Sequence, residues 1–230
     1  MQILAIVVSL AITAIAVALF ARAVGQIVSV VKVGKPVAGR TGAKSRRWVT
    51  MFRETLGHTR MLQWSVVGAG HWFVFIGFGL LFFTLVTAYG QLFDAQFAIP
   101  WLGTFFLYEW VAEVVTWVML VAIIAFIIYR LTRPKERVRG RRGRFFGSRM
   151  WQGYFVELVV LGVGVCIILL RGLEYAMAQY GGDPGHANSF DFPTTAWLGR
   201  LVDGGSESTI ANVIWLVAML KITISMVWMI

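Results

Sequence analysis

The chain alternates long apolar stretches with shorter clusters of charge. The apolar runs cover about 3–31, 61–91, 104–129, 150–178 and 209–230. A helix needs ~20 apolar residues to cross the hydrocarbon core of a bilayer, and each run reaches that length. Backbone in lipid must satisfy its own hydrogen bonds, so runs of this kind are helices. The pattern predicts an all-α membrane protein: five transmembrane helices forming a single transmembrane domain over 1–230. The first run lacks a positive n-region, so it reads as a span reaching toward Val33 rather than a signal peptide. We find no inverted repeat in the pattern and expect each span to be unbroken.

The polar segments set the orientation. The segment from Lys32 to Arg60 is basic, against Glu54 alone, and its second half (Arg46 to Arg60) suits a helix lying on the membrane surface. The segment from Arg130 to Arg149 is basic, against Glu136 alone. The turn holding Asp94 and the loop from Gln179 to Ser208 lean acidic. Basic loops stay in the cytoplasm, so the N-terminus lies outside and the C-terminus in the cytoplasm. The formal charge of +10 is therefore a topology signal, and nucleic acid is excluded as a partner. The composition adds weight to the membrane reading: 58% of the 230 residues are hydrophobic and the mean hydropathy is +0.74. The single cysteine, Cys166, offers no disulfide and no metal-binding pair. With Gly162 and Gly164 it suits close helix packing.

Polar groups inside lipid are costly, and that makes them candidates for function. His71 lies in span two, roughly 15 Å from its cytoplasmic end at about 1.5 Å per residue. Glu157 in span four is about 10 Å deep and Lys221 in span five ~12 Å from the same side. Trp64, Gly68, His71 and Phe75 share one helical stripe with Phe78 and Phe82. Gly68 and Gly70 would clear space beside the imidazole, as a histidine-ligated macrocycle requires. The plainer reading is a histidine hydrogen-bonded between helices, with an aromatic stripe that only packs. On a continuous helix His58 would lie ~20 Å from His71 and round the other side, and His186 falls in the outer loop. His71 would then need a methionine, or a histidine beyond Ile230, as second ligand. His58 remains a secondary candidate for touching a cofactor.

Glu109 and Glu113 are i, i+4 in span three, and two carboxylates held close in low dielectric resist ionising together. That suits proton uptake or release beside a quinone; the alternative is a wetted pair at the outer boundary. Arg171 and Glu174, i, i+3, can pair with each other. Lys221 can hydrogen-bond a quinone carbonyl, neutralise a haem propionate, or simply pair with Glu157.

Three stretches carry a family resemblance: Leu56-Gly-His-Thr-Arg-Met-Leu62, Gly70-His-Trp-Phe-Val-Phe-Ile-Gly-Phe-Gly79 and Thr84-Leu-Val-Thr-Ala-Tyr-Gly-Gln91. They resemble the membrane domain of the heterodisulfide-reductase-related iron–sulfur proteins, in particular the membrane-bound electron-transfer-flavoprotein dehydrogenases of fatty-acid β-oxidation. More distantly, the five-span pattern is similar to the gamma subunit of respiratory nitrate reductase and its haem-binding bundle. The resemblance implies one haem b with His71 as ligand, and electron flow from reduced electron-transfer flavoprotein to menaquinone. It also implies the bacterial cytoplasmic (inner) membrane, and iron–sulfur clusters in a cytoplasmic domain outside this segment, since this sequence lacks the cluster cysteines. On that reading the chain is the N-terminal membrane portion of a longer oxidoreductase, with Glu109, Glu113, Glu157 and Lys221 supplying quinone contacts and protons. The rival expectations are a proton-coupled transporter using the same residues as a relay, and a cofactor-free membrane anchor for a soluble redox partner.

Overall fold

The computed structural model describes residues 1–35, 42–132, 150–180, 188–202 and 204–229; the side chains of Trp64, Ser65 and Met150 fall outside the described residues, as do His186 and most of the second basic loop. The described residues form helices joined by turns. These are α1 (Gln2–Val33), α2 (Lys44–Thr55), α3 (Ser65–Leu80), α4 (Phe82–Gln91), α5 (Phe106–Leu131), α6 (Met150–Ala178), α7 (Ala196–Leu201) and α8 (Glu207–Met229). Single 3₁₀ turns lie at Leu62–Trp64 and Ser189–Asp191. Among the described residues five segments are long and apolar enough to cross a membrane: Gln2–Val33, Val66–Gln91, Phe106–Leu131, Trp151–Ala178 and Glu207–Met229. The protein is thus an all-helical, multi-pass membrane protein suited to a lipid bilayer.

Helix α6 is the centre of the bundle, packed against α5, α7 and α8. Small residues set the spacing. A Cβ on Gly164 would stand 2.7 Å from Leu120, and one on Gly162 would stand 3.2 Å from Ile224. Cys166 is buried beside them. Both glycines therefore serve close helix approach, as the sequence suggests. Helix α1 lies along α8 through Ala5, Ser9 and Ala16, while most of its second half is exposed. Its first turn is tied to the end of α4, where the Gln2 side chain donates to the carbonyls of Leu92 (3.2 Å) and Phe93 (2.8 Å).

The second span departs from expectation in two ways, and both position the site. It starts at Val66 rather than at 61. Helix α2 ends at Thr55, and His58 adopts a left-handed φ of 47° that no continuing helix allows. The chain turns there, held by Leu62 N–H to the His58 carbonyl (2.9 Å), and re-enters through the 3₁₀ turn before α3. At Leu81 the span, though continuous from Val66 to Gln91 and right-handed throughout this turn, tightens its ladder. The Thr84 amide (3.0 Å) and hydroxyl (2.6 Å) both donate back to the Leu81 carbonyl. This tight i, i+3 arrangement competes with the α-helical ladder.

Candidate functional site

Two polar centres sit on different parts of the bundle. The first is built by the turn at His58. Because the chain reverses there, the His58 ring comes to rest 5.5 Å from the His71 ring, centroid to centroid, and 4.5 Å from Phe75. The expectation that His58 lies ~20 Å away is overturned: it assumed one continuous helix. His58 is buried at 9% exposure, while His71 is exposed on the outer face of α3. The His58 Nδ1 lies 2.6 Å from the Thr55 carbonyl. A carbonyl can only accept, so Nδ1 carries a proton and its direction is committed to the backbone. The Trp72 indole donates to the Leu56 carbonyl (3.2 Å) and pins the returning chain to α3.

The clearance expected from the glycines is taken up by the chain itself. A Cβ on Gly68 would fall inside the Met61 carbonyl oxygen, and one on Gly70 would meet the Phe126 ring at 2.9 Å. Gly68 therefore permits the close return of Met61 and Leu62 rather than leaving a slot for a ligand. Trp64, placed by the sequence on the same stripe, has its side chain outside the described residues.

The second centre surrounds Arg171. Its Nε donates to Glu113 Oε1 (3.2 Å), and its Nη1 donates to Glu109 Oε1 (3.3 Å) and Glu174 Oε2 (3.1 Å). Its Nη2 donates to the Asp191 carbonyl (2.7 Å), and the Phe192 ring covers its Cζ at 4.2 Å. The Glu109/Glu113 pair read from the sequence is thus bridged by a guanidinium, and the Arg171–Glu174 pairing is present within a larger cluster. Glu113, fully buried, also accepts from Thr195 Oγ1 (2.6 Å), Thr194 Oγ1 (2.6 Å) and the Thr194 amide (2.8 Å). Those donors, with Arg171, occupy both its oxygens. Glu113 is an anchor for the 188–202 segment rather than a group free to meet a substrate.

Beside this cluster opens a cavity of about 290 Å³, bounded by α4, the 94–104 turn, α5, α6, Phe192 and Lys221 of α8. Glu109, Arg171 and Glu174 line it; Glu113, Glu157 and His71 do not. Lys221 is 1% exposed, and its Nζ donates to the Thr84 carbonyl (2.7 Å) and hydroxyl (2.9 Å). The sequence-based pairing of Lys221 with Glu157 is therefore corrected. Glu157 is gripped by Arg130 through Nε (2.9 Å) and Nη2 (2.7 Å), a two-pronged geometry that an amine cannot match. Lys221 meets instead the polar groups at the start of α4.

No family model, curated protein or solved structure matches the chain. What it can do must be read from these two centres. Among the described residues no group of three or more His, Cys, Asp or Glu side chains is placed to hold a metal ion. Two neighbouring imidazoles are too few ligands for a bare metal ion; only a metal that brings most of its own ligands, as haem iron does, could be held by them. The proton on His58 Nδ1, fixed by a carbonyl, is the outer-shell contact that metal-bound histidines almost always have. His58, His71 and Phe75 are the side chains that would contact such a group, and the chain itself fills the space beside Gly68 and Gly70. Gly68 has no part in it beyond shaping the turn.

Sequence reasoning missed four members of the second centre: Gln91, Tyr108, Thr194 and Thr195. The Gln91 amide donates to Glu174 Oε1 (2.6 Å), and Gln91 and Tyr108 line the cavity. Gln91 was visible as an amide at the end of an apolar run. The threonines carried no signal, because their partner is contributed from far along the chain.

Proposed function

We propose that the chain is the membrane haem domain of a quinone-linked oxidoreductase. Haem b would be held by His58 and His71 against Phe75, and would supply one-electron transfer within the membrane. The observation that carries this reading is the 5.5 Å approach of the two imidazoles, with the His58 Nδ1 proton tied to the Thr55 carbonyl. His71 would otherwise expose an imidazole on an apolar face, which is expensive in lipid. The short sequence stretches that resemble the electron-transfer-flavoprotein dehydrogenases supply the partners. Reduced electron-transfer flavoprotein is the donor, through iron–sulfur clusters outside this segment, and menaquinone is the acceptor. The basic segments face the cytoplasm of a bacterial inner membrane, with the N-terminus outside. Both histidines come from the present chain, so no ligand from beyond Ile230 is required.

The test is spectroscopic. Protein purified from a haem-replete host should show a Soret band, and His58→Ala and His71→Ala should each remove or shift it. A wild-type protein without haem, or variants with unchanged haem content and spectrum, would end the assignment and leave the cofactor-free anchor.

A second reading draws on Lys221, a buried charge in the last span that meets polar groups of the second. A proton-coupled transporter would move protons or solute in liposomes with no redox partner present.

A further inference from the structure

The cavity beside Arg171 contains buried polar atoms that the protein leaves unanswered. Gln91 is fully buried. Its amide nitrogen is committed to Glu174, while its Oε1 has no hydrogen-bond partner. The Tyr108 hydroxyl, on the α5 wall of the same cavity, is also buried and has none. Buried polar groups are rarely left unpaired, because each costs the full penalty of desolvation. Lys221 adds a third group. Its amine sends two bonds to Thr84 and has one further direction to offer. The rest of the wall is mixed: Ala112, Ile167, Leu170 and Phe192 are apolar, while Asp94, Gln96, Glu109, Arg171 and Glu174 are polar or charged.

We infer that this cavity receives the head group of a quinone, with Tyr108 and Gln91 as its hydrogen-bonding residues and Lys221 at its inner end. The inference rests on the quinone-linked reading above and gives it a place. The chemistry of the orphaned atoms selects the ligand. Gln91 Oε1 can only accept, so its partner must carry a hydrogen, as the hydroxyl of a quinol does. The Tyr108 hydroxyl both donates and accepts, so it can serve the carbonyl of the oxidised form and the hydroxyl of the reduced one. A flat ring with an oxygen at each end answers both atoms, and about 290 Å³ holds a ring of that size. The cavity is near the lower limit of small-molecule sites, so the head group alone would occupy it. Glu109 and Arg171 form one charged wall, whereas Glu113 and Glu157 take no part.

The experiment is saturable binding of radiolabelled menaquinone-1 to the full chain in phosphatidylcholine nanodiscs, with haem content recorded on the same samples. Tyr108→Phe removes only an unpartnered hydroxyl, so its thermal unfolding should match wild type while binding weakens about tenfold. Ala112→Phe fills the cavity and should abolish binding; Glu157→Gln should leave it unchanged. Gln91→Met should weaken binding of menaquinol-1 more than that of menaquinone-1. If wild type shows no saturable binding, the cavity holds only water and the inference fails. Equal affinity in wild type and Tyr108→Phe would likewise overturn it, whether or not Ala112→Phe folds. Binding that depends on Tyr108 in a protein without haem would uphold this site and overturn the haem assignment alone. Haem without quinone binding would do the reverse.

Discussion

Lys221 reaches across from α8 to α4 and donates to Thr84 twice, at its carbonyl (2.7 Å) and at its hydroxyl (2.9 Å). The same hydroxyl donates to the Leu81 carbonyl (2.6 Å), so one threonine links the tightened turn of the second span to the last span. Lys221→Met keeps the stem and removes the donor. It should cost about 1–3 kcal/mol, the usual range for a buried polar group that loses its partner. Thr84→Val removes the hydroxyl but keeps the carbonyl. The double variant should lose less than the sum of the two single losses, because they share a bond. Denaturant unfolding in mild detergent measures all three; strict additivity would show that the contact is not a working one.

Arg171 is held from several sides at once. Three carboxylates, a backbone carbonyl and an aromatic face surround it. Removing one member of a buried ionic network strands the others, at a typical cost of 3–5 kcal/mol. Arg171→Gln should therefore lower the unfolding temperature severely, and Arg171→Lys should rescue little of the loss. An amine cannot serve Glu109, Glu113, Glu174 and the Asp191 carbonyl from one rigid fork. A lysine variant as stable as wild type would mean that the cluster depends on charge alone and not on geometry.

The spans were legible because their physics is local. Apolar length predicts a crossing helix whatever surrounds it, and all five appear within a few residues of expectation. The intramembrane polar residues were legible as individuals too. Their partners were not, because partnership depends on how helices rotate and where they stop. Glu157 finds Arg130, a residue whose sequence signal was a basic loop. Lys221 finds the carbonyl and hydroxyl of Thr84 on α4, a helix whose rotation the sequence does not reveal. His58 finds His71 because a single left-handed residue reverses the chain. Helix-depth arithmetic assumes continuity, and it fails at such a residue, where nothing in the composition marks the turn beyond the neighbouring Gly57.

Arg130 and Glu157 give a contrasting case. Their pairing is two-pronged, with the arginine 24% exposed and the glutamate 6% exposed. Partial exposure weakens both the attraction and the penalty for breaking it. Glu157→Gln should therefore cost only about 1–2 kcal/mol, well short of Arg171→Gln. High salt should narrow the gap between wild type and this variant more than it does for Arg171→Gln. Thermal unfolding across a salt series reads the difference; a loss as large as that of Arg171→Gln would show that the pair is as dry as the central cluster.

Gly68 tests the histidine pair without touching either histidine. The Met61 carbonyl approaches its Cα so closely that an added methyl cannot be accommodated, and the obstacle is backbone rather than a flexible side chain. Gly68→Ala must therefore push the 58–62 turn away from α3. The Trp72 bond to Leu56 resists that shift, so the turn should swing out on the His58 side. His58 would then leave His71 and Phe75, although all three side chains remain. Far-ultraviolet dichroism should stay close to wild type, since α2 and α3 lie on either side of the turn and keep their own ladders. Haem content, or the Soret position of what haem remains, should change as much as in His58→Ala. Gly70→Ala meets only the edge of the Phe126 ring and should have a smaller effect on haem. If Gly68→Ala bound haem with an unaltered spectrum, the pairing of the two imidazoles would have no role in holding it.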